Sequence, residues 1–130
     1  MLIEFTTGKT IEELDQALRD AAARHKFGVL AMHDLQATMQ SKGADYGHAC
    51  RVYEVCNPFH AKRVLDTNPA ISTALPCRIS VYEQDGQLRV STLQPTLLIR
   101  MYGNPDLAAV AQEVEQSMSA MMREAAGTAS

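Results

Sequence analysis

No stretch of this sequence approaches the roughly 20 consecutive apolar residues that a helix needs to cross a bilayer, and no basic cluster marks a nucleic-acid surface. Its net charge of -3 is mild. Nucleic acid and membrane are therefore set aside as partners. The opening Met1-Leu2-Ile3-Glu4-Phe5 lacks the basic start and long apolar segment of a secretory signal. Cysteine is scarce: Cys50, Cys56 and Cys77 are an odd number, spread through a chain long enough not to need staples. That usage fits unpaired thiols in a reducing compartment, so the expected location is cytoplasmic. No phosphate-binding glycine loop, nucleophile elbow, zinc-protease motif or paired-cysteine spacing occurs.

What is present describes an ordinary globular chain. Its 130 residues are 46% apolar and 21% charged, enough for one substantial core. The expected organisation is a single domain over 1–130, with a frayed tail from 125 to 130. No internal repeat or linker interrupts it.

The elements follow from local chemistry. Residues 2–6 are apolar and β-branched enough for a first strand. Thr10-Ile11-Glu12-Glu13 has the pattern of a capping box, and Ile11, Leu14, Leu18 and Ala21 continue at helical spacing, predicting a helix over 11–25. His25 then stands as a favourable cation at that helix's C-terminus. Val29-Leu30-Ala31-Met32 reads as a buried strand closed by His33-Asp34, with Asp34 capping a short helix over 35–42 before Gly43.

A strand over 48–56 runs into Asn57-Pro58, an N-cap followed by proline at the first helical position. The helix over 58–67 is expected to turn Phe59, Ala61, Val64 and Leu65 inward. Cys77–Tyr82 and Gln87–Ser91 alternate in polarity around Asp85-Gly86, which supplies the two positive-φ residues of a type I′ hairpin. Residues 94–103 suit either a strand or a helical turn. Asn104-Pro105-Asp106 repeats the capping pattern at the start of a last helix running to about 124. Leu107, Val110, Val114, Met118 and Met121 form its apolar stripe. The fold class is α+β, with a mixed or antiparallel sheet of about four to five strands and two to three main helices packed on it.

The candidate site residues gather around Cys56. A thiol just before a helix N-terminus lies near unpaired N–H groups that favour the thiolate, and His60 in the first turn adds a hydrogen bond or a charge. The bland alternative is a small apolar side chain filling the end of a sheet. Period two puts Glu54 on one strand face with Cys50, Val52 and Cys56. If that face packs against helices, the carboxylate needs a partner or a raised pKa; if the other face is the core, Glu54 is solvated. The sequence leaves both open.

Cys77 meets Cys56 if their strands pair antiparallel, and His33 joins them if 29–33 runs parallel to 48–56. One imidazole, two thiols and a carboxylate would then suit Zn²⁺, Cu(I) or iron, against the plainer reading of core cysteines and a capping histidine. His48 and Cys50, two apart on a strand, are a further conceivable chelating pair. Met118, Met121 and Met122 suggest a thioether patch, but at this spacing methionines are more often core or subunit contact. They are taken as a candidate dimer surface.

Together, several motifs resemble a known family. Val29-Leu30 with His33-Asp34-Leu35, Tyr53-Glu54-Val55-Cys56-Asn57-Pro58, and Leu75-Pro76-Cys77-Arg78-Ile79-Ser80-Val81-Tyr82-Glu83 with the Asp85-Gly86 turn look like the domain-of-unknown-function 302 family of bacteria and archaea. The resemblance implies a two-layer α+β fold, often a homodimer, and no established activity. It marks Glu54, Cys56, Asn57, Pro58, Pro76, Cys77 and Arg78 as the positions where a shared function would lie, and leaves Cys50 and His60 outside the pattern.

Three functions stay open. The first is a dimeric ligand- or metal-binding module whose site gathers Cys56, Cys77, Glu54 and His33, with Asn57 and Arg78 among its binding residues. The second is a thiol enzyme or redox sensor with Cys56 as nucleophile and Cys77 resolving. The third is an interaction protein whose cysteines are inert core.

Overall fold

A computed structural model describes residues 1–127. In chain order the main elements are β1 (Leu2–Thr7), α1 (Ile11–Arg24), β2 (Gly28–Asp34), α2 (Leu35–Ser41), β3 (Cys50–Cys56) and α3 (Pro58–Thr67). They continue with β4 (Cys77–Gln84), β5 (Gln87–Leu93), α4 (Pro95–Arg100) and α5 (Ala108–Ala126), and 3-10 turns occupy Pro69–Ala74 and Pro105–Leu107. The architecture is α+β: a five-stranded sheet ordered β1-β5-β4-β3-β2, antiparallel throughout, with α1 and α5 packed on it.

Local signals fix most element ends. Thr10 Oγ1 accepts from Glu13 N while Glu13 Oε1 accepts from Thr10 N, so the expected capping box forms. Asp34 caps α2 through Ala37 N, and Asn57 caps α3 through the N–H groups of Phe59 and His60. The hairpin turn has φ of 55° at Asp85 and 75° at Gly86, as a type I′ turn demands.

Asn104 departs from expectation. Its side chain caps nothing, and α5 begins only at Ala108, after the 3-10 turn. The oxygen that would have capped instead accepts from Asn68 Nδ2 at 2.8 Å, which ties the end of α3 to the start of the last helical segment. The ambiguous stretch 94–103 resolves as the short helix α4, with Pro95 at its first position.

One core forms between the helix layer and the sheet. From α1 it takes Leu14, Leu18 and Ala21; from the sheet Tyr53, Val55, Ile79, Val81 and Val90; from α5 Val114, Met118, Met121 and Met122. All three methionines are 0% exposed. They are therefore core packing and not the dimer surface expected of them, because α5 turns its stripe onto the sheet and α1. Helix α5 also runs past the expected end: Ala125 and Ala126 are helical and buried, Gly127 closes the helix at φ 75°, and 128–130 lie outside the described residues.

β1 lies at a sheet edge and pairs with β5 alone. Its last residue closes the other end of the molecule, since Thr7 Oγ1 donates to Ala126 O at 2.9 Å and Lys9 Nζ to Ala125 O at 2.7 Å. These bonds satisfy carbonyls that a helix end leaves without partners. Across the two long helices, His25 does more than complement a dipole: its Nε2 lies 2.9 Å from Glu124 Oε2, and Arg24 pairs with the same carboxylate.

Strand β2 runs opposite to the direction that would have brought His33 to the cysteines. It pairs antiparallel with β3, from Gly28 opposite Cys56 to Asp34 opposite Arg51, with a bulge between Val29 and Ala31. A parallel pair would need a crossover covering the sheet. The connecting helix α2 buries no residue and makes no such crossover, so the chain simply turns back.

Candidate functional site

The parity of β3 decides which of its faces is the core. Tyr53 and Val55 are 0% exposed and face the helices, which leaves Cys50, Val52, Glu54 and Cys56 on the sheet's uncovered side. Glu54 is therefore not a buried acid in search of a cation. Its Oε2 lies 3.1 Å from His33 Nε2, so these two expected metal ligands pair with each other on that open face.

Cys77, opposite Val55, stands on the helix side of the sheet. β3 and β4 pair antiparallel with Val55 opposite Cys77, so the end of one strand does meet the start of the other, as anticipated. Between them the chain makes a helical excursion through α3, the turn Pro69–Ala74 and a cis Leu75-Pro76 bond. That excursion, with α4 from beyond β5, walls a cavity of about 550 Å³ at the end of the sheet. The volume lies within the usual range for small-molecule sites.

The cavity is bounded mainly by apolar groups: Phe27, Val64, Ile71, Leu75, Leu98 and Met118 on its inner side, Leu2, Val52 and Leu93 where it meets the uncovered face. Cys56, Asn57, Cys77 and Arg78 line it, whereas Glu54 and His33 do not. So the structure separates the expected metal set of Cys56, Cys77, His33 and Glu54: His33 pairs with Glu54 outside the cavity, while Cys56 and Cys77 line it. Among the described residues, no three His, Cys, Asp or Glu side chains are placed to hold a metal ion.

His60 belongs to this site although the resemblance left it out. Asn57, His60, Ala61 and Val64 all line the cavity. Their spacing of i, i+3, i+4 and i+7 is that of one helix face, and it was the signal available in the sequence. Phe59, expected inward, falls off that face and is 71% exposed. His60 Nδ1 is buried with no hydrogen-bond partner among the described residues. Its other nitrogen lies 4.0 Å from Glu113. Burial lowers the imidazole pKa against the opposing pull of Glu113, which keeps the ring neutral at pH 7.

Burial works against activation of the thiols. Burial pushes Cys56 above the ordinary thiol range. It pushes Cys77 up to about 11, with Cys56 adding to the effect. Both shifts run against the thiolate that the helix N-terminus was expected to favour, and two of that terminus's N–H groups are already taken by the Asn57 side chain. All three cysteines are unbridged.

The second suspected chelating pair dissolves in the same way. His48 precedes β3 and places Nδ1 3.3 Å from Glu83, while the Cys50 thiol hydrogen-bonds with Ser80. No described helix is long and apolar enough to cross a membrane.

Comparison with known proteins places this geometry in a lineage. No curated protein matches the chain. A solved structure described as an uncharacterised conserved DUF302 protein from Bacillus stearothermophilus superposes with a TM-score of 0.92 at 28% identity, covering 95% of this chain and 97% of that one. The family described as domain of unknown function DUF302 matches residues 3–125. Nearly the whole of the fold just described falls within that match, and the chain belongs to the DUF302 family.

Proposed function

We propose that the protein is a small-molecule-binding module whose ligand occupies the cavity at the end of the sheet. One observation carries this reading: the cavity of about 550 Å³ is walled chiefly by apolar side chains yet gathers His60, Cys56, Cys77, Asn57 and Arg78. A mainly hydrophobic enclosure with a few converging polar groups is what small-molecule sites have in common.

The ligand form of the reading is preferred to the metal form because the thiols and the Glu54–His33 pair are separated. Unbridged thiols suit a cytoplasmic setting. The test is titration with the uncharged apolar fluorophore N-phenyl-1-naphthylamine. Saturable binding at one site per chain is expected in the native protein. Ala61→Trp, which places a large ring against the cavity wall, should abolish it while leaving the circular dichroism spectrum unchanged. Failure of the native protein to bind, or unaltered binding by a folded Ala61→Trp variant, would sink the proposal.

A further inference from the structure

We infer that the ligand of this cavity is an amphiphilic monocarboxylate, an apolar body whose single carboxylate is held by Arg78. The inference rests on the reading of the cavity as a small-molecule site and adds the class of ligand. Of the described side chains lining the cavity, Arg78 alone is charged at neutral pH and none is acidic. A cavity walled mainly by apolar groups, with one cation at its margin, is complementary to an anion carrying a hydrophobic body.

Arg78 is placed for that task. It sits on the uncovered face of β4, exposed at the edge of the cavity and directly opposite Glu54 across the β3–β4 ladder. Opposite charges in such register normally pair. Here Glu54 is engaged by His33 at 3.1 Å, and among the described residues Arg78 makes no ion pair or side-chain hydrogen bond. Its guanidinium offers a planar fork that matches the two oxygens of a carboxylate.

The charge balance selects the head group. One guanidinium neutralises a monoanion, whereas a phosphate monoester would bring about -1.5 to -2 charges into a site with no second cation. Ser80, two residues along the same face, also lines the cavity and adds a hydroxyl beside the proposed head-group position. The apolar body would run inward past Val52 and Leu75 toward His60, whose unpartnered Nδ1 could meet one further polar atom of the ligand.

Isothermal titration of the native protein with octanoate, octanol, octylamine and octyl phosphate tests this. Octanoate should bind on the order of tenfold more tightly than octanol, since a hydrogen bond to a charged group contributes about that much, and octylamine should bind most weakly. Arg78→Gln should remove the octanoate advantage without changing the affinity for octanol; Arg78→Lys should keep part of it. Equal binding of octanoate and octanol by the native protein, or full octanoate affinity in Arg78→Gln, would overturn the carboxylate anchor and leave the cavity reading intact. Tighter binding of octyl phosphate than of octanoate would overturn the choice of head group. If none of the four compounds binds, and the naphthylamine does not bind either, both readings fall together.

Discussion

The phenol of Tyr53 donates to Asp15 Oδ1 at 2.5 Å, joining the helix-facing side of β3 to α1. The ring is fully buried and the carboxylate also takes a hydrogen bond from Arg19 Nε at 3.0 Å. A tyrosine in a core needs such a partner for its hydroxyl, and the bond fixes where α1 lies over the sheet.

Tyr53→Phe should therefore lower stability at pH 7 by about 1–2 kcal/mol, the usual cost of losing a buried hydrogen bond. The pH dependence is more telling. Burial first, and then the bond to Asp15, raise the phenol pKa from 10.0 to about 12 in the folded protein. A raised folded pKa contributes stability that is complete below the unfolded value of 10.0 and is lost as pH rises toward about 12. Urea unfolding between neutral and strongly alkaline pH should show a smaller alkaline loss in Tyr53→Phe than in the native chain. Tyr82, also raised, keeps that loss from vanishing altogether.

At the cavity, the thiol shifts predict sluggish nucleophiles. Alkylation by iodoacetamide at pH 7 should be slower at both Cys56 and Cys77 than for a model thiol, and slower at Cys77, whose pKa is pushed up to about 11. Peptide mass spectrometry after timed quenching gives the two rates separately. Rapid modification of Cys56 would restore the redox-sensor reading.

The α5 methionines offer a test of where that helix's apolar stripe goes. Met118→Asp or Met121→Asp should cost more than about 3 kcal/mol, since each places an unpaired charge in a closed core. Met118→Leu should cost less than about 1.5 kcal/mol. Denaturation monitored by circular dichroism together with size-exclusion chromatography separates this from a subunit contact: a folded monomer released from a native oligomer by Met121→Asp would show that the stripe does bind another chain.

These outcomes bear on how far the sequence could be read. Caps, the type I′ turn and the apolar stripes were legible because each depends on neighbours a few residues away: Thr10 and Glu13, Asp85 and Gly86, Met118 and Met121. The direction of β2 was not, because a short apolar strand carries no mark of its partner's orientation, and α2 reveals itself as no crossover only by burying nothing. Likewise the stripe on α5 showed an apolar face without showing what covers it. Asn104 displayed a capping signature, but its oxygen was claimed by Asn68 from a distant segment.

The site divided along the same line. The antiparallel pairing that brings the end of β3 to the start of β4 was foreseen, and Cys56 and Cys77 both line the cavity there, but Cys77 stands opposite Val55 on the helix side and so does not share a face with Cys56. The side taken by Glu54 stayed open because strand parity fixes which residues share a face but not which face is covered, and His33 was expected at the cysteines only through a parallel pairing that β2 does not make. His60 was undervalued for want of a motif, although its helical spacing from Asn57 and Val64 was plain. The wall supplied by Leu2, Leu93 and Leu98 could not be foreseen, since it assembles from strands and helices far apart in sequence.

The tie between the first strand and the last helix imposes a schedule on synthesis. β1 has its one partner in β5, and its final threonine reaches the carbonyl of Ala126. During translation the first strand must therefore leave the ribosome with an unpaired edge and wait while β2, β3 and β4 are made. Only once β5 has emerged can β1 be paired, so its unpaired backbone groups are what a chaperone would shield in the interval.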